Sequence, residues 1–185
     1  MGLFAVLRGK VGRGEERFEN RVKKTLERVA DEDPISLLKR RVLCALEYTG
    51  NYHEVLVENG KIAEVEKMER FAKDRVRDAL VHAGFAVPPL DVVGHVWGDN
   101  CFDAVGVNSS YLVLGEVKWG ENFTLSELES FLGRVEEAAK RGRGREVVFF
   151  IASLKRLEEE IKEILKNHPK KNFIVSFEEV RPYSL

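Results

Sequence analysis

Two acidic side chains and one lysine, on two neighbouring apolar runs, are the residues whose types and spacing best suit chemistry. Glu116 and Lys118 stand two apart in one run, so in a strand their side chains lie on the same face. Asp103 belongs to the preceding run. If Ser109 and Ser110 form a two-residue hairpin loop, Asp103 lies directly opposite Glu116, whereas a three-residue loop turns Asp103 to the other face.

The surroundings of these charges favour a divalent cation. The other side chains of the shared face are apolar: Val105, Val107, Leu112 and Leu114. Charges are costly to desolvate there, and carboxylates directly opposite each other repel. Mg²⁺ or Mn²⁺ relieves both costs, because such ions are held by one or two carboxylates together with waters and phosphate oxygens. The ion polarises a phosphoryl oxygen, and Lys118 is placed to stabilise charge that develops on a phosphate. The alternative is a strand-end ion pair, with Asp103 capping a turn.

A further carboxylate is available on the helix that precedes these strands. Glu69 borders the apolar stripe of that helix and is expected to reach the waters of the metal from below the sheet. The alternative is a surface carboxylate at the edge of the core. Glu66, by contrast, groups with Arg70 and Lys73 on a face that is expected to be solvated.

The elements that must position these residues follow from hydrophobic periodicity and turn signals. Helices are predicted over 15–30, 35–48, 63–83, 125–141 and 157–167, and strands over 91–97, 102–107, 111–119, 146–152 and 173–177. Asp33-Pro34 marks a helix start, Gly50-Asn51 a helix end and Gly84 another end. Residues 53–58 fit either a short strand or a loop. This order predicts an α/β fold, with a central mixed sheet flanked by helices.

Basic and aromatic residues near the site are open to two interpretations. The run from 140 to 145 either contacts substrate phosphates or forms a solvated loop. Trp97 and Trp119 either stack on bases or pack at the sheet edge. Whether Arg134 faces the cleft is not fixed by the sequence.

Composition narrows the class of protein. The chain has 185 residues, of which 33% are charged, and a formal net charge of -1, which neither supports nor excludes a nucleic-acid partner. No apolar run approaches the roughly 20 residues that span a bilayer, so a soluble, cytoplasmic protein without a membrane partner is expected. Cys44 and Cys101 lack zinc-binding spacing. The absence of glutamine and the abundance of Lys and Glu are typical of thermophilic proteins.

Asp103 followed by Glu116-Val117-Lys118 resembles the D…(D/E)xK signature of the PD-(D/E)XK nuclease superfamily. More narrowly, segments 94–97 (GHVW), 102–105 (FDAV) and 114–119 (LGEVKW) resemble the nuclease-like domain at the C-terminus of archaeal DEXX-box ATPases. The resemblance extends over about residues 63–185. The chain departs from the pattern at Phe102, where proline is common, and at Ala104, where a large aliphatic residue is usual. The phosphate-binding loop GxxxxGK(S/T) of the ATPase half is missing.

The resemblance implies a restriction-endonuclease-like core over residues 61–185, preceded by an N-terminal helical extension over residues 1–60. It implies that Asp103 and Glu116 are metal ligands, that the Val117 carbonyl is a third ligand, that Lys118 is the catalytic lysine and that Glu69 is the acidic residue of the helix. The implied activity is Mg²⁺-dependent or Mn²⁺-dependent hydrolysis of DNA phosphodiesters.

Two alternatives stay open. One is a catalytically inactive nuclease-fold module that binds DNA or a protein after losing its partner ATPase. The other is a nuclease similar to Holliday junction resolvases, suggested by residues 68–87, and this alternative requires a homodimer.

Overall fold

The computed structural model describes residues 17–24, 32–88, 102–141 and 144–180. The chain divides into two units between Ser36 and Leu37, and each is described by itself. The first unit contains helix α1, residues 17–24, and the start of helix α2, Pro34–Glu58. At that start the Asp33 carboxylate accepts hydrogen bonds from the Ile35 N–H at 3.4 Å and from the Ser36 hydroxyl at 3.2 Å. The helix start predicted at Asp33-Pro34 is therefore confirmed.

The second unit is built around a four-stranded sheet. Its further helices are α3 (Ile62–Val65), α4 (Met68–His82), α5 (Leu125–Lys140), α6 (Glu159–Lys166) and α7 (Phe177–Val180). Its strands are β1 (Ala104–Val107), β2 (Tyr111–Lys118), β3 (Glu146–Ser153) and β4 (Asn172–Ser176). The order across the sheet is β1-β2-β3-β4, with β1 and β2 antiparallel and the other pairs parallel. The predicted class, α/β with a mixed sheet flanked by helices, is confirmed.

Helices cover both faces of the sheet. On one face, α5 and α6 close a core whose buried members are Phe102, Val105, Leu112, Leu114, Leu128, Phe131, Val135, Phe149, Ile151, Ile161 and Leu165. On the other face, α4 packs against β1 and β2. This approach is close, because a Cβ added to Gly106 would lie 2.9 Å from the side chain of Leu80. The side chains that alternate along the β1-β2 hairpin therefore point in turn at α5 and at α4.

Two predicted helix boundaries are wrong. Helix α2 does not end at Gly50 but continues to Glu58, and this also decides that residues 53–58 are helical. Position 50 requires glycine because the helix packs closely here: a Cβ on Gly50 would lie 2.5 Å from the ring of Phe177. The helix predicted over residues 63–83 is interrupted after Val65, where the Lys67 N–H bonds the Glu64 carbonyl in a tight turn. Gly84 ends α4 with a positive φ of 90°, as predicted.

Some predictions lie outside the described residues. These are most of the first helix, the strand over 91–97 with its Trp97, and Cys101. The predicted domain boundary after residue 60 stays a prediction. None of the helices in the described part of the chain is long and apolar enough to cross a membrane.

Two helical glycines give a matched test of this packing. Gly50→Ala pushes a methyl group into the Phe177 ring, and we expect a net loss of about 1–2 kcal/mol of unfolding free energy from overpacking. Gly133→Ala on the exposed side of α5 meets nothing within 4 Å, so better helix propensity stabilises the protein by about 0.5–1 kcal/mol. Urea unfolding of both variants measures the difference. Equal effects at the two positions would contradict the packing role of Gly50.

Candidate metal and phosphate site

The register of the β1-β2 hairpin places Asp103 opposite Glu116. Ala104 pairs with Gly115, and the turn is closed by a 3.1 Å bond from the Asn108 N–H to the Tyr111 carbonyl. This is the register predicted for a two-residue loop. The Asp103 carboxylate is fixed there by the main chain of β2, because its Oδ2 accepts a hydrogen bond of 2.9 Å from the N–H of Val117.

Helix α4 supplies the counter-charge to Asp103. The Nζ of Lys73 lies 3.2 Å from Oδ1 of Asp103 and 3.7 Å from Oε1 of Glu69, one helical turn away. Arg77, one turn further along, donates from Nε to the backbone carbonyl of Asp103 at 2.9 Å and pairs with Asp74 at 3.1 Å. The two cations therefore hold Asp103 in different ways: Lys73 holds its carboxylate and Arg77 holds its main chain.

Helix α5 supplies the counter-charge to Glu116 from the other face. The Arg134 guanidinium lies 3.6 Å from Oε2 of Glu116 and stacks 5.7 Å above the rings of both Phe102 and Phe131. Oε2 is buried and has no hydrogen-bond partner among the described residues. Burial, and after it the charge of Asp103, raise the pKa of Glu116 to about 7, although Arg134 and Lys73 act in the opposite direction.

Lys118 lies on the same strand face, two residues beyond Glu116. Its Nζ is 3.0 Å from Glu127 and 3.6 Å from Glu121. Burial acts to lower the pKa of Lys118, but the hydrogen bond and charge of Glu127, with the charges of Glu121 and Glu69, raise it above its ordinary value. Glu127 is positioned by a helix cap, because its N–H donates to the Thr124 hydroxyl at 3.1 Å at the start of α5.

A cleft of about 370 Å³ opens beside Lys118. Its walls are formed by His53, Val65, Glu66, Glu69, Lys118, Trp119, Gly120 and Glu121. Trp119 is buried and its ring lies 6.0 Å from that of His53, so it packs at the end of β2 and shapes the cleft. Three carboxylates against one lysine make this lining acidic.

The predicted site residues lie in two neighbouring groups, one at the carboxylate pair and one at the cleft. Asp103 and Glu116 meet, and Val117 joins them through its N–H. Glu69 is half-exposed, lines the cleft with Lys118 and contacts Lys73.

The structure also assigns contacts to residues whose roles the sequence predicted wrongly or did not fix. Lys73 is not a solvated lysine, because it bonds Asp103 across 30 positions of sequence, and the only local signal for it is its i,i+4 spacing from Glu69. Arg134, whose direction the sequence does not fix, faces Glu116. Glu127 had a signal in the Thr124-x-x-Glu127 capping pattern. Within the basic run, Arg145 donates to the Asn108 carbonyl at the far end of the hairpin, away from the carboxylate pair.

The donor set suits a hard divalent ion that keeps most of its waters. The described residues contain no group of three or more His, Cys, Asp or Glu side chains able to hold a metal by themselves. Mg²⁺ does not need one, because one or two carboxylates with waters and a phosphate are its usual ligands. Asp103 and Glu116, the latter with a buried oxygen that lacks a hydrogen bond, fit that requirement.

Comparison of the chain with protein-family models, with curated proteins and with solved structures finds no match. The resemblance to the nuclease superfamily therefore depends on the motif residues alone. Those at 102–119 are in the described hairpin, and those at 94–97 lie outside the described residues.

Glu116→Gln tests the buried carboxyl through the pH dependence of stability. Because its pKa in the folded protein is raised from 4.5 to about 7, Glu116 favours folding most below pH 4.5, and this contribution is lost as pH rises through 7. Without metal, wild type should lose about 2–3 kcal/mol more than Glu116→Gln between pH 5 and pH 8. Urea unfolding in EDTA at both pH values measures this.

The matched control is Glu129→Gln, on the exposed side of α5. It should retain the pH slope of wild type. If Glu116→Gln also retains that slope, Glu116 does not titrate as described.

Proposed function

We propose that this protein is a metal-dependent endodeoxyribonuclease that hydrolyses DNA phosphodiester bonds with Mg²⁺ or Mn²⁺. The observation that carries the proposal is the placement of Asp103 directly opposite Glu116, with Lys118 on the same strand face two residues away. Two carboxylates forced together among apolar side chains are costly without a cation. The ammonium of Lys118 can then stabilise the negative charge that develops on a phosphate bound to the cation.

Asp103 and Glu116 would hold the ion, and the Val117 carbonyl is the third ligand that the resemblance implies. When bound, the ion supplies Lewis-acid polarisation of a phosphoryl oxygen and lowers the pKa of a bound water. The protein keeps the two carboxylates from separating, since the Val117 N–H fixes one and Arg134 lies against the other.

Lys118 acts as a cation in this proposal. Its raised pKa keeps the side chain an ammonium at neutral pH, so it can donate hydrogen bonds to a phosphate oxygen but cannot serve as a general base. Glu127 and Glu121 hold the ammonium at the rim of the cleft. Glu69 lies in the same cleft, where it can accept a hydrogen bond from a water near the ion.

The acidic cleft also supports a cation requirement. Glu66, Glu69 and Glu121 surround Lys118, and they repel a polyanion such as DNA unless a divalent ion offsets their charge. With the ion bound, DNA is the proposed partner. The cytoplasm is the proposed location. A homodimer and a partner ATPase stay predictions.

A second candidate is a nuclease-fold module that binds DNA or a protein without cleaving. It is favoured by one observation: the charges of Asp103 and Lys118 are already paired within the chain, with Lys73 and with Glu127. Such internal pairing is compatible with a purely structural role.

Nicking of supercoiled plasmid in Mn²⁺ separates the two candidates. Lys118→Ala and Glu116→Gln should each lower the rate on the order of 10²–10³-fold, because each removes charge stabilisation at the phosphate or a metal ligand. Lys166→Ala and Glu129→Gln are the matched controls, since both residues lie on the exposed sides of their helices, α6 and α5. They should cut at the wild-type rate.

Single-stranded, duplex and branched DNA should all be offered, because the geometry does not select among them. Absence of metal-dependent cleavage on every substrate, or cleavage that survives both site substitutions, would reject the nuclease proposal. Retained DNA binding in that case would favour the binding module.

A further inference from the structure

One cation already lies at the carboxylate pair. The Lys73 ammonium is 3.2 Å from Oδ1 of Asp103, and its side chain is only 28% exposed. It reaches Asp103 from α4, on the face of the sheet opposite to α5. A metal ion that binds Oδ1 of Asp103 has to compete with this ammonium, because both are cations attracted to the same carboxylate oxygen.

Glu69 is a second ion-pair partner for Lys73 when the lysine leaves Asp103. Its Nζ is also 3.7 Å from Glu69, which is half-exposed and lines the cleft beside Lys118. A small rotation of a flexible lysine stem therefore moves the ammonium towards the cleft without moving the helix. Arg77 lacks this freedom, because it is bonded both to the Asp103 carbonyl and to Asp74.

The charges then favour an anion. With Lys73 on Asp103 and Arg134 on Glu116, two cations balance two carboxylates. A divalent ion brings two further positive charges, so the site gains a net positive charge that an anionic phosphodiester can neutralise. Lys73, whose Nζ lies 3.7 Å from Glu69, is a cation available to such an anion beside the cleft.

Resting on the proposed function, we infer that Lys73 is an internal competitor of the divalent ion at Asp103, and that its displaced ammonium binds a phosphate of the DNA substrate. Lys73 thus keeps the cation weakly bound until DNA is present, and metal and DNA bind cooperatively. The displacement of Lys73 strengthens binding of both ligands: the metal can then bind Asp103, and the phosphate can bind the lysine ammonium.

Mn²⁺ binding, measured by EPR on the DNA-free protein, tests the first half. Lys73→Met should tighten Mn²⁺ binding about tenfold or more, because the competing ammonium is gone. Lys73→Gln is a second variant that keeps a polar end, and it should behave in the same way. Arg70→Met removes the same charge from an exposed side chain of α4 about one helical turn from Lys73, so it controls for a general change of electrostatic potential and should shift the affinity much less.

Binding of a fluorescent oligonucleotide in Mn²⁺, in the Lys118→Ala background so that cleavage does not interfere, tests the second half. Lys73→Met should weaken DNA binding and lower the slope of log affinity against log salt by about 0.7–0.9, the loss of one phosphate contact. Arg70→Met should retain the slope.

Unchanged or weaker Mn²⁺ binding in both Lys73 variants, or equal effects of Lys73→Met and Arg70→Met, would overturn the inference while leaving the nuclease proposal intact. An unchanged salt slope in Lys73→Met would overturn the phosphate contact. If neither wild type nor any variant binds Mn²⁺, the metal site itself fails, and the proposed function falls with it.

Discussion

The repulsion between Asp103 and Glu116 is the constraint on which the rest of the site depends. Hairpin pairing puts the two carboxylates face to face on an otherwise apolar surface, and neither can move away without breaking the strand register. Two cations offset this repulsion, Lys73 from α4 and Arg134 from α5. Even so, the pKa of Glu116 rises to about 7, mainly because of burial. A pair held at this cost is the observation on which the proposed metal site rests.

The fold makes that pair possible because it brings helices onto both faces of one hairpin. β2 lies between an antiparallel and a parallel neighbour, so its residues are held on both edges and their direction is fixed. Close packing leaves no room for a side chain at Gly115, the residue before Glu116, because a Cβ there would lie 2.3 Å from the ring of Phe150. The site opens where the parallel strands end, which is where ligands commonly bind in α/β sheets.

Charge balance connects the two carboxylates, the lysines and the cleft. Lys118 is held by acidic residues of the loop after β2 and of α5, and Lys73 is shared between Asp103 and Glu69. Each lysine therefore lies within an acidic environment that only a stronger anion or a competing cation can change. Under the proposed function, such an arrangement would respond to a divalent ion and a phosphate together more than to either alone.

The sequence by itself determined the local features: the α/β order, the shared face of Glu116 and Lys118, and the condition that a two-residue loop at Ser109-Ser110 adds Asp103 to that face. These follow from a two-residue period and a loop length, which are properties of neighbouring residues. Only the tertiary structure decided the partners Lys73 and Arg134, and it also showed that Gly50 lies within a helix against Phe177. Each of these depends on how one element packs against another, and no local pattern encodes the direction from which a distant helix approaches a strand.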